Sequence, residues 1–139
     1  MNMSQLSKIQ TSDAPAALGP YSQAAAVDMQ QGQLLFVSGQ LPLDLHTGKL
    51  LEGDLVEMTH LVIQHIRNIL EAAGSDLTHV IRTDVFLKDL ADFTTFNNAY
   101  QMHFPGPVFP ARQTIQAAKL PLDSPLEISC IALIPFKDQ

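Results

Sequence analysis

Two residues of opposite charge, Arg112 and Glu127, stand in segments that otherwise carry few charges and are rich in strand-forming residues. A guanidinium presents a planar fork of N–H donors that fits a carboxylate better than a lysine ammonium does. A carboxylate nearby can orient a water molecule or take its proton. The two residue types therefore indicate a site that binds a small carboxylic acid and directs water onto it. A structural ion pair between Arg112 and Glu127 is the alternative.

The segments that carry these two residues alternate as strands do. In residues 112–117 every second residue from Arg112, including Thr114, falls on one face. In residues 126–134 the even-numbered positions are apolar or small, and Glu127 falls on the opposite face. A carboxylate at the head of an otherwise buried strand needs a function or a partner.

A simple hairpin between these two strands would keep the charges apart. With Ala118 opposite Leu126, the register brings Arg112 near Ala132, about five rungs of roughly 3.4 Å from Glu127. The two side chains can share a site only if the strands pair elsewhere or if two subunits contribute one residue each.

Four further positions are candidates for lining a site. Gly39 follows Ser38 at the end of a strand, where a glycine permits another group to approach the backbone closely. Ser38 lacks the G-x-S-x-G context of a nucleophile elbow. Tyr21 lies in a loop and Asn97 in a helical segment, where packing on the core and a polar surface position are the ordinary alternatives.

The histidines do not form a metal-binding pattern. The chain has five of them: His46, His60, His65, His79 and His103. His60 and His65 lie about 140° apart around one helix, and no pair of cysteines accompanies them. Phosphate-binding and dinucleotide-binding glycine motifs are also missing from the sequence. We therefore expect neither a metal nor an organic cofactor.

Composition narrows the class of protein. The 139 residues predict a single domain over 1–139. The net charge of −6 and the scattered basic residues argue against binding to nucleic acid or an anionic membrane. Cys130 is the only cysteine, the N-terminus lacks the apolar core of a signal peptide, and no run of about 18 apolar residues occurs. We expect a soluble cytoplasmic protein.

Two helices and six strands account for the pattern along the chain. Asp54 and Glu57 predict a capping box at the start of the first helix, and Gly74 predicts its end. A second helix is predicted from a cap at Asp89 to about His103. The predicted strands are residues 7–10, 24–29, 34–39, 80–87, 112–117 and 126–134, with a turn at 30–33 in which Gly32 takes a positive φ.

The order of these elements predicts the architecture. Three strands, a helix, a strand, a helix and two strands imply a mixed six-stranded sheet with both helices on one face, in the α/β (α+β) class. The other face then stays bare although it carries apolar residues. We predict that other subunits cover it.

Several blocks of sequence together resemble the RidA/YjgF family of enamine and imine deaminases. They follow the order of that family and span nearly the whole chain. The blocks are residues 16–23 (AALGPYSQ), 36–40 (FVSGQ), 83–90 (TDVFLKDL) with Phe93 and Asn97, 109–112 (FPAR), and 120–121 (LP) with 126–128 (LEI).

The resemblance implies a chorismate-mutase-like fold and a homotrimer with three clefts between subunits. It implies that Arg112 binds a substrate carboxylate and that Glu127 positions water, with Tyr21 as a third catalytic residue. Ser38, Gly39, Asn97 and Thr114 correspond to substrate-binding positions of the cleft. Two departures stand out: Thr114 replaces the cysteine that the family commonly has two residues after the arginine, and the loop before Phe109 is shorter.

The implied activity is hydrolysis of reactive 2-imino acids, such as 2-iminobutanoate and 2-iminopropanoate, to 2-oxo acids and ammonia. Neither a metal nor a cofactor is needed, because the protonated imine carbon is already electrophilic. The alternative is a non-catalytic sensor that binds a 2-oxo acid or another small carboxylate in the same cleft. A nuclease activity is disfavoured by the acidic charge.

Overall fold

The computed structural model describes residues 6–136 as six strands and two α-helices. The ends of the predicted 1–139 domain, residues 1–5 and 137–139, lie outside the described residues. The strands are β1 (Leu6–Ile9), β2 (Ala24–Met29), β3 (Gly32–Gln40), β4 (Val80–Leu87), β5 (Ala111–Gln116) and β6 (Leu126–Pro135), and the helices are α1 (Leu55–Ala72) and α2 (Phe93–Tyr100).

All six strands form one sheet in the order β1-β2-β3-β6-β4-β5. Neighbours are antiparallel except β4 and β5, which run parallel and are connected through α2. The predicted mixed six-stranded sheet with two helices on one face is confirmed. The hairpin between the last two strands is not formed, because β6 inserts between β3 and β4 and leaves β5 at the edge.

Helix α1 begins and ends where the sequence predicts. The Asp54 carboxylate accepts from the Glu57 backbone N–H at 2.8 Å, and the Glu57 carboxylate accepts from the Asp54 N–H at 3.2 Å. Gly74, with φ of +90°, follows the last turn. The buried stripe of α1, which includes Val62, Ile66 and Ile69, packs against the helix-covered face of the sheet.

Two local predictions are wrong. Asp89 caps only a 3₁₀ turn at Leu90–Asp92, so α2 begins at Phe93, and a second 3₁₀ turn at Gln101–His103 follows it. Gly32 does not take a positive φ; it lies in β3, where a Cβ would come within 2.4 Å of the Ile134 carbonyl oxygen. A close backbone contact, rather than turn geometry, is therefore the reason for a glycine at this position.

The sheet face that no helix covers, here called the bare face, carries apolar side chains. Phe36 is 47% exposed and Ile115 is 40% exposed, and Ile131 pairs directly with Phe36 across β6 and β3. Its burial against other subunits stays a prediction. No helix within residues 6–136 is long and apolar enough to cross a membrane.

Candidate active site

Arg112 lies on the edge strand β5, beside Thr83 of β4, and its side chain points to the helix-covered face. The guanidinium carbon is 4.8 Å from the centroid of the Tyr100 ring, 5.6 Å from that of Phe93 and 5.8 Å from that of Phe96. These three aromatic residues share one stripe of α2, at positions i, i+3 and i+7. Helix α2 thus presents three π faces to one cation, an arrangement that favours the charged side chain.

Arg112 has no acidic partner among residues 6–136. The ion pairs formed there join Arg82 to Asp84 and Lys88 to Asp123, and Asp76 is hydrogen-bonded to the His79 ring. The alternative of a structural ion pair between Arg112 and Glu127 is therefore wrong within one chain. An exposed guanidinium without a counter-ion remains available to an anionic ligand.

A pocket of about 340 Å³ opens beside this guanidinium. Its lining consists of Asn97, Tyr100, Gln101, Phe109, Pro110 and Arg112. The Asn97 side-chain oxygen is buried and has no hydrogen-bond partner among residues 6–136. The same holds for the Thr114 hydroxyl, two residues beyond Arg112 on the same face of β5. We call Arg112, Asn97, Tyr100 and Phe109 the arginine half-site.

Glu127 lies on β6 and points to the bare face, since its neighbours Leu126 and Ile128 are both in the core. The side chain is half-buried, and desolvation raises the pKa of its carboxyl group. Its carboxylate lies against the backbone of Gly39, where an added Cβ would be 1.9 Å from Glu127 Oε2. The close approach predicted at Gly39 is thus made by the candidate catalytic carboxylate.

A β-bulge lets β3 meet this carboxylate. The register between β3 and β6 shifts by one residue between Val37 and Gln40, the stretch that contains Ser38 and Gly39. The Ser38 hydroxyl donates to the Ser22 carbonyl at 2.6 Å. This bond ties β3 to the loop that carries Tyr21.

Tyr21 is 54% exposed and lines a second pocket, of about 530 Å³, together with Ser22 and Gln23. Its ring therefore stands free at the surface beside the strand end that holds Ser38. We call Tyr21, Ser38, Gly39 and Glu127 the glutamate half-site.

One chain does not bring the two half-sites together. Arg112 contacts helix α2 on one side of the sheet, whereas Glu127 faces the other side. The strands do pair elsewhere than in a hairpin, yet this pairing alone leaves the two side chains on opposite faces. Of the two routes that the sequence left open, contribution by two subunits is the one compatible with a shared site.

The sequence reading missed the surroundings of Arg112. The Thr83 hydroxyl and the Tyr100 hydroxyl lie 2.8 Å apart in the core, and Tyr100 contacts the guanidinium. The helical spacing of the aromatic residues in α2 could have indicated this contact. An apolar stripe that packs on the core can also contact a side chain from a neighbouring strand. His60 and His103, whose ring nitrogens lie 2.7 Å apart, were also not foreseen as neighbours.

Cys130 takes no part in either half-site. It is 2% exposed on the helix-covered face of β6. Burial raises the pKa of its thiol to about 12. The interpretation as a small buried hydrophobic residue is confirmed.

Comparison with known proteins gives a family for the chain. The family model described as Endoribonuclease L-PSP matches residues 11–134. Protein DfrA from Myxococcus xanthus is 43% identical over 90% of this chain and 93% of its own length. The 2-iminobutanoate/2-iminopropanoate deaminase from Mus musculus is 43% identical over 90% of this chain and 89% of its own. Reactive Intermediate Deaminase A, chloroplastic, from Arabidopsis thaliana is 44% identical over 91% of this chain and 65% of its own.

Solved structures agree with the fold. RidA from an Antarctic Psychrobacter bacterium superposes with a TM-score of 0.81 at 38% identity, covering 92% of this chain and 99% of its own. TdcF from E. coli with bound serine gives a TM-score of 0.81 at 36% identity, covering 91% of this chain and 98% of its own. Both likenesses cover more than nine tenths of this chain.

Proposed function

Because the chain belongs to the Endoribonuclease L-PSP family, which is the RidA/YjgF family, we propose that it hydrolyses small 2-imino acids to 2-oxo acids and ammonia. Relatives at 41 to 44% identity carry deaminase names, which supports this class of reaction. Other relatives in the family, such as DfrA, carry names that state no activity. The choice of 2-iminobutanoate and 2-iminopropanoate as substrates follows the names of the mammalian relatives.

One observation carries the proposal: the Arg112 guanidinium faces a pocket of about 340 Å³ and has no carboxylate partner among residues 6–136. A planar cation at the mouth of a small pocket suits a ligand with a carboxylate at one end. The bound serine in the structural relative TdcF is a ligand of that kind. In the proposal, Asn97 and Thr114 bind the same ligand with the polar atoms that lack partners within the described part of the chain.

The proposed reaction uses few groups. Arg112 binds the substrate carboxylate and fixes the position of the imine carbon. Glu127 takes a proton from water as the water oxygen bonds to that carbon and forms a carbinolamine. Glu127 then returns that proton to nitrogen and accepts the hydroxyl proton as the C–N bond breaks. A 2-oxo acid and ammonia leave, and the proton on Glu127 passes to ammonia or to solvent. The raised pKa of Glu127 makes it a stronger base than an ordinary carboxylate once it is ionised.

We propose that each cleft takes Arg112 from one subunit and Glu127 from its neighbour, in a homotrimer. Apolar side chains stand exposed next to both half-sites: Tyr21 is 54% exposed, Phe36 47% and Phe109 60%. A neighbouring subunit that sets its arginine half-site against the glutamate half-site would bury these side chains and exclude water from the reacting imine. Tyr21, Ser38 and Gly39 then enter the cleft with Glu127.

Substitution of Arg112 tests this function directly. We expect Arg112→Ala to lower kcat/KM for enzymatically generated 2-iminobutanoate by about a hundredfold or more, because a charge-assisted bidentate contact is lost. Arg112→Lys, which keeps the charge but not the fork, should lose about tenfold. Turnover is measured by ammonia release, with oligomeric state checked by light scattering.

Arg67→Ala is the matched control. Arg67 lies on α1 and belongs to neither half-site, so this substitution removes one positive charge at a different place. It should keep turnover within about twofold, as surface substitutions usually do. Equal turnover in Arg112→Ala and the unmodified chain would remove Arg112 from the reaction.

A second function is favoured by one observation, the placement of the two half-sites on opposite faces of the sheet. A chain that does not assemble keeps the carboxylate-binding half without the water-positioning half. Such a chain would act as a sensor of 2-oxo acids or other small carboxylates. Calorimetry with 2-oxobutanoate beside the hydrolysis assay separates the two functions, because binding without turnover supports only the sensor.

The proposed location is the cytoplasm. The single buried cysteine agrees with a reducing compartment. One relative, from Arabidopsis thaliana, carries a chloroplastic name.

A further inference from the structure

We propose that Tyr100, held by Thr83, is a positioning residue that fixes the Arg112 guanidinium for carboxylate binding. This inference rests on the proposed function, because it concerns the residue that binds the substrate carboxylate. It adds two residues, Tyr100 and Thr83, to which neither the family motifs nor the names of the relatives give a role.

The Tyr100 ring lies directly against the Arg112 guanidinium. Of the three aromatic rings around Arg112, Tyr100 is the nearest, at 4.8 Å from guanidinium carbon to ring centroid. Tyr100 also lines the pocket beside Arg112, although the residue is only 6% exposed. Its ring is therefore both the floor of the pocket and the surface on which the guanidinium lies.

Packing and one hydrogen bond hold the Tyr100 ring in place. Tyr100 stacks on Phe104 with centroids 4.6 Å apart and an interplanar angle of 30°, and it packs on Phe96 at 5.4 Å. Its hydroxyl is hydrogen-bonded to the Thr83 hydroxyl at 2.8 Å, and Thr83 is 1% exposed. A buried phenol needs such a partner, and the bond fixes the last degree of freedom of the ring.

Thr83 is next to both Arg112 and Tyr100. Thr83 is the residue of β4 that pairs with Arg112 of β5. The same threonine therefore lies beside Arg112 in the sheet and is hydrogen-bonded to the Tyr100 ring hydroxyl. Burial raises the pKa of Tyr100, so the phenol stays neutral and keeps its proton for this bond at neutral pH.

A purely structural role would not need the two buried hydroxyl groups of Thr83 and Tyr100. Phenylalanine would fill the same core volume without a hydroxyl to satisfy, and valine would replace Thr83 in a strand at least as well. The polar pair is buried in the core, where its net contribution to stability is small. Its remaining effect is to orient the ring on which the guanidinium rests.

Tyr100→Phe and Thr83→Val test the inference, with Thr59→Val as matched control. Thr59 is a buried threonine of α1 whose hydroxyl bonds to Leu55, away from the pocket. Each test variant should raise KM for 2-iminobutanoate and Kd for 2-oxobutanoate about fivefold, the factor that one net hydrogen bond is worth. The value of kcat should stay within about twofold, because the carboxylate contact is the same in ground and transition states.

Tyr100→Leu removes the π face and should raise KM by about tenfold or more. In the folded protein, the Arg112 Nε–Hε resonance should lose its ring-current shift in this variant and keep most of it in Tyr100→Phe. Arg112→Lys assigns the resonance. The double variant Thr83→Val with Tyr100→Phe should be no worse than either single variant, since both remove one bond.

The outcomes separate this inference from the proposed function. If Arg112→Lys leaves KM and Kd unchanged, the proposed function fails. If Arg112→Lys raises both while Tyr100→Phe, Thr83→Val and Tyr100→Leu do not, only the positioning role fails. If Tyr100→Leu does not fold, the two conservative variants decide, and KM values equal to those of Thr59→Val overturn the inference.

Discussion

The two half-sites hold their charges in opposite ways. Arg112 lies at an open edge of the sheet and rests on neutral aromatic rings that leave its N–H groups free for a ligand. Glu127 lies within the sheet, half-buried and in close contact with Gly39, and desolvation raises its pKa. The arginine half-site keeps an ionised group available, whereas the glutamate half-site makes an ionised group more basic at some cost in stability.

The difference matches the two tasks of the proposed reaction. Binding a carboxylate needs a cation that is charged at every working pH, and an exposed arginine on π faces satisfies this. Moving a proton needs a group that changes its charge readily, and a partly desolvated carboxyl group satisfies that. Three experiments test whether this division of roles, and the division between subunits, holds.

Mixing two inactive variants should give the largest effect. Chains with Arg112→Ala and chains with Glu127→Gln are each expected to be nearly inactive. Refolded together in equal amounts, they should recover about one quarter of the unmodified activity, because one cleft in four then joins an intact arginine half-site to an intact glutamate half-site. Ammonia release per subunit is the measurement.

Two controls accompany the mixture. The same variants mixed without unfolding should show no recovery until subunits exchange. A chain that carries both substitutions should stay inactive after the same unfolding and refolding. Mixed oligomers that form after joint refolding but show no gain in activity would place both half-sites in one subunit, against the proposed division between subunits.

Gly39→Ala should have the next largest effect. A Cβ at this position would lie 1.9 Å from Glu127 Oε2, so the carboxylate must move. Displacement of a general base costs about a hundredfold or more in kcat, while Kd for 2-oxobutanoate should change little because Arg112 is untouched. Rapid-quench kinetics and calorimetry check the two values.

Gly53→Ala is the matched control, because its Cβ would approach a different glutamate, Glu57 Oε1, at 3.1 Å. That variant should retain activity. In the Glu127→Gln background, Gly39→Ala should cause no further loss of kcat. A hundredfold loss in that background as well would mean that Gly39→Ala acts on the fold rather than on the carboxylate.

The smallest expected effect concerns stability. Because the pKa of Glu127 is raised in the folded chain, the folded state keeps a proton that the unfolded state has lost as pH rises above the ordinary carboxyl pKa. The contribution of Glu127 to stability therefore falls as pH rises through this window. Glu127→Gln should raise the Tm at pH 7 by at most a few degrees, and the gain should vanish in acid.

Scanning calorimetry from pH 4 to pH 8 measures this difference. Glu57→Gln, which alters an exposed cap of α1, is the control and should not raise the Tm at pH 7. A Glu127→Gln variant that is less stable than the unmodified chain at neutral pH would show that a partner stabilises the carboxylate, so that Glu127 would not differ from Arg112 in the proposed way.

The positions of the strands and of helix α1 could be predicted from the sequence, because they depend on residues that are close together in the chain. Alternation placed the strands to within about two residues, and Asp54 with Glu57 gave the start of α1. The faces within each strand were also predicted, including Arg112 and Thr114 on one face of β5. Two local predictions failed: Asp89 caps a 3₁₀ turn before α2, and Gly32 is needed because of a contact with the distant β6.

The relation between the half-sites did not follow from the sequence. Whether Arg112 and Glu127 share a face depends on the insertion of β6 between β3 and β4, a choice made by the packing of the whole sheet. The contact between Thr83 and Tyr100 likewise joins residues on different elements. The residue types predicted the kind of chemistry, but only the strand order shows that one chain places Arg112 and Glu127 on opposite faces of the sheet.

Cys130 has a practical consequence for such experiments. With a thiol pKa of about 12 and 2% exposure, only about one molecule in a hundred thousand carries the reactive thiolate at neutral pH. A second cysteine introduced at Val108, which is 88% exposed near the arginine half-site, can therefore be labelled with a maleimide dye while the native thiol stays unmodified. The natural sequence thus serves as its own background for fluorescence reporting of cleft occupancy.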